Sequence, residues 1–449
     1  MKSEMSRVLL LATTTGYQTR SFDEAAERVG IKLVFATDRC HVLDDPWQDQ
    51  AIPIHFHDEL ASVAAVLDVA RNQPIDGVLA VGDRPTVIAA RVAEALGLPS
   101  HPPDAAAIAR NKELMRDCLR AAGLPAPAFI RTPITANPAW LLSQVSFPCV
   151  VKPVALSGSR GVMRADNPRE LADAFDRLRA LLQSPDIRAE RSDAHQTALV
   201  ERFIPGREYA VEALLHHGAL HVLAIFDKPD PLDGPFFEET IYVTPSSAPP
   251  GVLDAIVQTV TDAVRAIGLR HGPIHAECRV NDEGVFVLEI AARPIGGLCA
   301  RALRFDPDPA RQASGPARMP PPESPITLEE LLLRHAVGDT PARYARESSA
   351  SGVMMIPIPR RGVLRRVDGI DAARRVMHTV DVRITAKPDQ MLIPLPEGSS
   401  YLGFIFARAS TPQTVERSLR NAHARLTFAI DAEFPVLRAA QSRYNQGHG

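Results

Sequence analysis

The sequence predicts a mixed chain: α/β at the amino end, α+β through the middle and β-rich towards the carboxyl end. Three observations carry this. Short apolar runs alternate with amphipathic stretches over the first hundred residues, two acidic strands flank a tight turn within 274–297, and residues 353–407 break into short strands between Gly and Pro turns. The 449 residues correspond to about three domains.

Taken in order, residues 8–12 form an apolar strand running into the loop 13–16. Ser21 and Glu24 have capping-box spacing, and Gly30 stops the helix that follows. Strands at 32–37 and 77–81 and a helix at 85–96 complete repeated β-α units, which imply a parallel sheet. The loop after the first strand has no GxGxxG fingerprint, so no dinucleotide site is expected there. Residues 104–122 read as one long helix, 147–153 as a strand carrying Lys152, and 168–183 as an amphipathic helix. Strands at 198–204 and 208–215 flank Pro205 and Gly206, a long Pro-rich acidic loop spans 227–250, and a helix at 249–267 stops at Gly268. The stretch 306–325 is Pro-rich and aperiodic, a linker or surface insertion. Thr327 and Glu330 repeat the capping-box spacing, 353–407 suggests a small β-rich unit, and 412–428 reads as a terminal helix.

Composition narrows the function. A 45% hydrophobic, 23% charged chain is an ordinary globular one, and a net charge of −3 argues against a nucleic-acid footprint. No run of apolar residues is long enough for a membrane span or a signal-peptide core, so the expected location is the cytoplasm. Five cysteines without a CxxC pair suggest neither a zinc ribbon nor a disulfide framework. Only six of the 50 basic residues are lysines (Lys2, Lys32, Lys112, Lys152, Lys228 and Lys387). In a chain that otherwise uses guanidinium, these ammonium groups are candidates for point-charge phosphate ligands.

The most informative segment is IHAECRVNDEGVFVLEIAARPIGG, residues 274–297. A three-residue loop 282–284 ending in Gly284 would pair Asn281 with Val285 and set Glu277 opposite Glu289. That register puts Ala276, Cys278, Val280, Phe286, Leu288 and Ile290 on a continuous apolar face. Facing carboxylates repel, and a hard divalent cation such as Mg²⁺ would offset the repulsion. In the competing reading one glutamate is solvated or pairs with Arg279 or Arg293. Arg293 would lie near the same site, and Gly296 and Gly297 would let backbone amides approach a ligand.

Lys152 is followed by LSGSRGV, a Gly/Ser loop able to offer amides and hydroxyls to phosphate oxygens; an ordinary turn is the alternative. Residues 199–212, LVERFIPGREYAVE, read as an inter-strand connection whose backbone can line an adenine, with a plain turn and surface carboxylates as the alternative.

These elements, in this order, resemble the ATP-grasp superfamily. The resemblance rests on Asn111–Lys112, FPCVVKPVALSGSRGV, LVERFIPGREY, and HAECRV with VLEIAARPIGG. It implies an ATP-grasp fold with a Rossmann-like pre-ATP-grasp domain over 1–103, an ATP-grasp domain over 104–305 with a lid at about 125–200, a Pro-rich linker over 306–326, and an α+β carboxyl region over 327–449. It further implies that Lys112 and Lys152 contact ATP phosphates. Ser157, Gly158, Ser159 and Gly161 belong to the loop closing over those phosphates. Glu201, Arg202, Phe203 and Ile204 line the adenine, and Glu208 binds ribose. Glu277 and Glu289 hold Mg²⁺, with Mn²⁺ as a substitute, and Arg293 stabilises the transferring phosphoryl group or a tetrahedral intermediate, which makes it, with Lys152, the catalytic pair. Ala291 stands where many members have an asparagine metal ligand, so one metal would have a reduced protein shell.

Within the superfamily the chain looks most like the L-amino acid ligase group, which joins amino acids into dipeptides. The implied reaction is amide formation through an acyl phosphate, with ADP and phosphate released. Lys228, Glu238, Glu239, His275, Gly296 and Gly297 are candidates to face the carboxylate and amine substrates, with solvated loop charges and a structural histidine as the plainer readings. A carboxylase or formyl-type ligase using bicarbonate or formate, and a non-catalytic ATP-binding module, are the alternatives. Oligomeric state is open, with a homodimer the ordinary prior.

Overall fold

A computed structural model describes residues 5–13, 18–38, 51–308, 319–322 and 324–432. Most of the loop 13–16, most of the Pro-rich stretch 306–326, and Cys40 lie outside the described residues.

Near the amino end, Arg7–Ala12, Lys32–Asp38, Ile52–Ile54 and Gly77–Val81 form a parallel sheet with Arg7–Ala12 inside it. Leu9, Leu10 and Leu11 are inaccessible to solvent, which is why this strand reads as an uninterrupted apolar run. A second sheet, of four antiparallel strands, orders Phe129–Pro133, Thr197–Arg202, Cys149–Pro153 and Met163–Ala165, with helix Pro168–Leu182 packed behind it.

The largest sheet has eight strands. Gly284–Ala291, Gly272–Asn281, Arg207–His216, Ala219–Asp227 and Ile241–Thr244 run on into Ala350–Ile356, Gly403–Ala409 and Thr379–Ile384. Part of the expected small β unit therefore extends this sheet, while Met391–Leu392, Gly362–Asp368 and Thr427–Asp431 form a separate three-stranded sheet. Helix Pro250–Ile267 buries Ile256, Val260 and Val264 against Val211, Leu215, Ile274 and Cys278. Each such aliphatic side chain contributes roughly 1.5–3 kcal/mol.

Several expectations change for local reasons. The first helix begins at Gln18, so Ser21 lies within its first turn and is no cap. The expected helix 104–122 is two helices, Pro103–Arg110 and Lys112–Ala121. Asn111 breaks it: its extended backbone closes the first helix, and its side chain accepts from the Leu114 amide at 3.1 Å. Asparagine favours such a cap over a helix interior. The loop 227–250 contains the strand Ile241–Thr244, and the terminal helix ends at His423, after which Phe428 lies in the strand Thr427–Asp431. Thr327 does make the expected capping box with Glu330.

Candidate functional site

The hairpin of Gly272–Asn281 with Gly284–Ala291 forms the floor of the site. Its loop has two residues, not three: Asn281 pairs with Gly284 and Val280 with Val285. The Asn281 side chain accepts from the Glu283 amide at 2.8 Å, a local turn that closes the loop early. A bulge at Leu288 then absorbs the one-residue difference, and Glu277 still stands opposite Glu289. Between the shortened turn and the bulge, two assignments are reversed. Val285 and Val287 join Cys278 in the core, whereas Leu288 lines the cavity and Phe286 lies under the Arg202 guanidinium.

Above this floor lies a cavity of about 450 Å³, enclosed by the four-stranded sheet, the large sheet and the carboxyl end of strand Gly77–Val81. Lys112, Lys152, Ser157, Gly158, Ser159, Glu201, Arg202, Phe203, Ile204, Glu208, His275, Glu277, Glu289, Arg293, Gly296 and Gly297 all line it. Of the expected residues, Gly161 and Glu238 do not border it, and Lys228 reaches it only through its ion pairs with three lining or adjoining glutamates. The Gly161 amide donates to Pro396 O at 2.8 Å, and a Cβ there would press on Leu178 and Leu181, so this glycine serves packing. Glu238 takes a backbone hydrogen bond from Ile358 while its neighbour Glu239 faces the cavity. Successive residues of an extended segment point to opposite sides.

The repulsion expected between the facing glutamates is offset by ammonium groups. Glu277 Oε1 is 3.1 Å from Lys228 Nζ, and Glu289 Oε2 is 3.3 Å from Lys112 Nζ. Neither glutamate pairs with Arg279 or Arg293. Burial alone would raise the Glu277 pKa, but Lys228 and His275 hold it well below the usual carboxylate range. Lys228 also meets Glu208 Oε1 at 2.7 Å and contacts Glu239, whose hydroxyl partner is Tyr242 at 2.7 Å. Oxygens of Glu208, Glu239 and Glu277 lie within 4.8 Å of one another, with the Lys228 ammonium bonded to all three. Burial and the nearby Glu277 push Glu239 up to about 7.

The break at Asn111 directs Lys112 inward. Its amide donates to Val154 O at 3.1 Å, and its ammonium donates to Leu156 O at 2.8 Å, at the entrance of the Ser157–Ser159 loop. Lys152 is 2.5 Å from Glu201, and burial lowers its pKa to about 8 despite that partner. Glu201 is also held by the fully buried Arg116, Nε at 3.0 Å, whose Nη2 donates to Leu288 O at 2.6 Å.

Sequence reasoning missed Asp83, Arg116, Glu212 and Tyr242. Arg293 forms a two-toothed ion pair with Asp83, Nε–Oδ1 2.9 Å and Nη2–Oδ2 3.1 Å. Asp83 sits just past the carboxyl end of a parallel strand, where α/β sheets bind ligands, and that rule would have found it. Glu212 accepts from the Ile295 amide at 3.1 Å and is 3.1 Å from His275 Nδ1. Burial opposes the His275 charge, but Glu212 and Glu277 push its pKa up to about 9. Ala291 lines the cavity and adds no oxygen there. Gly297 takes a left-handed φ of +63° beside Phe404, while a Cβ on Gly296 would meet the Arg293 guanidinium at 3.9 Å.

A cavity between two antiparallel sheets, lined by lysines and paired acids, gives the chain an ATP-grasp fold. A family model for the ATP-grasp domain matches residues 145–302, one for the ATP-grasp N-terminal domain matches 23–100, and one for the L-amino acid ligase C-terminal domain 2 matches 354–431. The chain is similar to the crystal structure of L-amino acid ligase from Bacillus licheniformis, with a TM-score of 0.75 and 26% identity, covering 96% of this chain and 100% of that one. It is 28% identical to carnosine synthase 1 of Gallus gallus over 318 residues, 67% of this chain and 32% of that protein. It is 26% identical to alanine–anticapsin ligase of Bacillus subtilis (strain 168) over 224 residues, 46% of each chain. The matched region is thus less than half the length of either of these two relatives. Among the described residues no helix is long and apolar enough to cross a membrane.

Proposed function

We propose that this chain is an ATP-dependent carboxylate–amine ligase that joins two amino acids through an acyl phosphate. One observation carries the reading: Lys112, Lys152 and Arg293 converge with Glu277 and Glu289 on one cavity beside a Ser/Gly loop. Three cations suit a triphosphate. Two carboxylates offer the hard oxygen donors that Mg²⁺ prefers alongside substrate phosphates. The amino acid ligase and synthase names among the similar proteins support amino acids as the substrates.

In this mechanism a substrate carboxylate oxygen attacks the γ-phosphorus of ATP and ADP leaves. The amine nitrogen of the second substrate then attacks the acyl carbon, loses a proton, and expels phosphate. Glu277 and Glu289 hold Mg²⁺, which when bound neutralises phosphate charge. Lys112 and Lys152 bind phosphate oxygens, and Lys112 exchanges Glu289 for that role when ATP enters. Arg293, fixed by Asp83, steadies the negative charge that develops on the reacting centre. Ser157 and the loop after it cover the phosphates and exclude water, to which an acyl phosphate would be lost. Glu239, held by Lys228, faces the substrates and positions the amine.

The test is a coupled ADP-release screen over pairs of amino acids with Mg²⁺ and Mn²⁺, with products identified by mass spectrometry. Arms with bicarbonate or formate as the acid separate a carboxylase or formyl-type ligase. A dipeptide formed with one equivalent of ADP, and lost in Glu289→Gln, is the expected result. ATP binding without turnover on any pair, or full Mg²⁺-dependent turnover by Glu289→Gln, would overturn the reading.

A further inference from the structure

Away from the cavity, four histidines from three parts of the chain gather at one end of the large sheet. His216 ends the strand Arg207–His216, His217 occupies the turn to the next strand, His271 immediately precedes the strand Gly272–Asn281, and His335 comes from helix Leu328–Ala336. None serves the reaction described above. His271 lies four residues before His275 and His216 four residues after Glu212, which sets the cluster about 13 Å along the strands from that pair.

Ring nitrogens of His216, His217 and His271 lie within 4.8 Å of one another. The ring centroids are 4.6 Å apart for His216 and His217, 4.8 Å for His217 and His271, and 5.3 Å for His216 and His271. Imidazoles bound tetrahedrally to zinc at about 2.0–2.1 Å place their nitrogens roughly 3.3 Å apart, so side-chain adjustments of about an ångström would close the site. The turn holding His217 has left-handed backbone at His217 (φ 50°) and Gly218 (φ 89°), the form suited to a tight hairpin, and it fixes His217 beside His271.

His335 orients this trio. Its Nε2 is 3.2 Å from His216 Nδ1, which leaves His216 Nε2 for another partner, and its ring stacks on His271 at 4.3 Å. Metal-binding histidines are characteristically held through their second nitrogen in this way. The His217 amide approaches His271 Nδ1 at 3.4 Å, a long contact and a weak competitor for that ring. His217 is exposed and gives an ion access, and His271 and His335 also border a pocket of about 40 Å³, enough for a water molecule.

We propose that His216, His217 and His271 form a binding site for a divalent transition-metal ion, zinc by preference, with His335 as the orienting residue. Imidazole ligands without carboxylate or thiolate suit zinc, copper or nickel and do not suit Mg²⁺ or Ca²⁺. The bound ion would fasten the turn after Arg207–His216 to the start of Gly272–Asn281, two adjacent strands whose other residues carry Glu212 and His275. The inference does not depend on the reaction proposed above.

The experiment uses the full chain without an affinity tag, stripped with EDTA and titrated with Zn²⁺ in a buffer holding millimolar Mg²⁺. Mg²⁺ occupies the carboxylates of the cavity and leaves the imidazoles free. The expected result is one equivalent bound at micromolar affinity or tighter, a raised thermal midpoint, and a visible absorption band when Co²⁺ replaces zinc. His217→Ala, whose exposed side chain can be removed without opening the core, should weaken binding at least tenfold with an unchanged circular dichroism spectrum. His335→Phe should weaken it about 10- to 100-fold. No saturable zinc binding in Mg²⁺ buffer, or full affinity in His217→Ala, would overturn the proposal. So would loss of zinc binding in Glu277→Gln, which would locate the ion among the acids of the cavity.

Discussion

Arg293 and Asp83, 210 positions apart in the chain, meet in a two-toothed ion pair at 2.9 and 3.1 Å on the edge of the cavity. The pair ties the end of a strand in the amino-terminal parallel sheet to the segment following the acidic hairpin. Burial would raise the Asp83 pKa, but the Arg293 charge and hydrogen bonds hold it below the usual range.

Asp83→Asn keeps the shape and removes the charge that aims the guanidinium. Misplacing a reacting or stabilising group by about 1 Å can cost about 10²-fold in rate. The expected outcome is a fall in kcat of that order with little change in the KM for ATP. Steady-state kinetics read it, and a KM effect alone would count against the positioning role.

Lys152 sets a pH limit. Burial lowers its pKa to about 8, so the free enzyme loses this ammonium as pH rises through 8. The KM for ATP should therefore rise between pH 8 and 9.5, and Lys152→Arg, always charged, should flatten the profile. The stability effect has the opposite sense. The fold binds this proton more weakly than the unfolded chain does, so this group's contribution to stability improves from about pH 8 up to the ordinary lysine value.

Among the described residues, Lys228 is the single cation bonded to Glu208, Glu239 and Glu277 together. Lys228→Met leaves buried carboxylates uncompensated, and breaking such a cluster costs about 3–5 kcal/mol. Urea unfolding should show that loss at pH 8 and a smaller one at pH 5.5, where Glu239, with a pKa of about 7, is protonated.

Arg116 is inaccessible to solvent and serves both Glu201 and the carbonyl at the Leu288 bulge. Arg116→Met should lower stability by about 3–5 kcal/mol, because Glu201 is left with Lys152 alone. Thermal and urea melts measure this. In the surviving folded fraction the KM for ATP should rise.

Much of the site was legible in the chain because the features that build it are local. Strand Gly77–Val81, the capping box at Thr327 and the pairing of Glu277 with Glu289 each follow from a few adjacent residues. The register at the hairpin tip was less legible. A turn closed by Asn281 and a bulge at Leu288 shift the strands by one residue in opposite senses, and an alternation pattern cannot distinguish two compensating shifts from none. Glu238 and Glu239 were equally plausible as charges, and only the direction of the extended segment separates them.

The order of charged and apolar residues along the chain determined which strands are acidic, where lysines replace arginines, and that the parts assemble as an ATP-grasp fold. Tertiary structure decided which charges meet. Lys228 compensates Glu277, Asp83 fixes Arg293, Arg116 supports Glu201, and four histidines gather from the sheet and helix Leu328–Ala336. Hydrophobic periodicity fixes local elements because burial follows from neighbours in sequence. Coulombic and hydrogen-bond partners are selected by distances of about 3 Å between segments tens or hundreds of residues apart, and only the packed chain sets those distances.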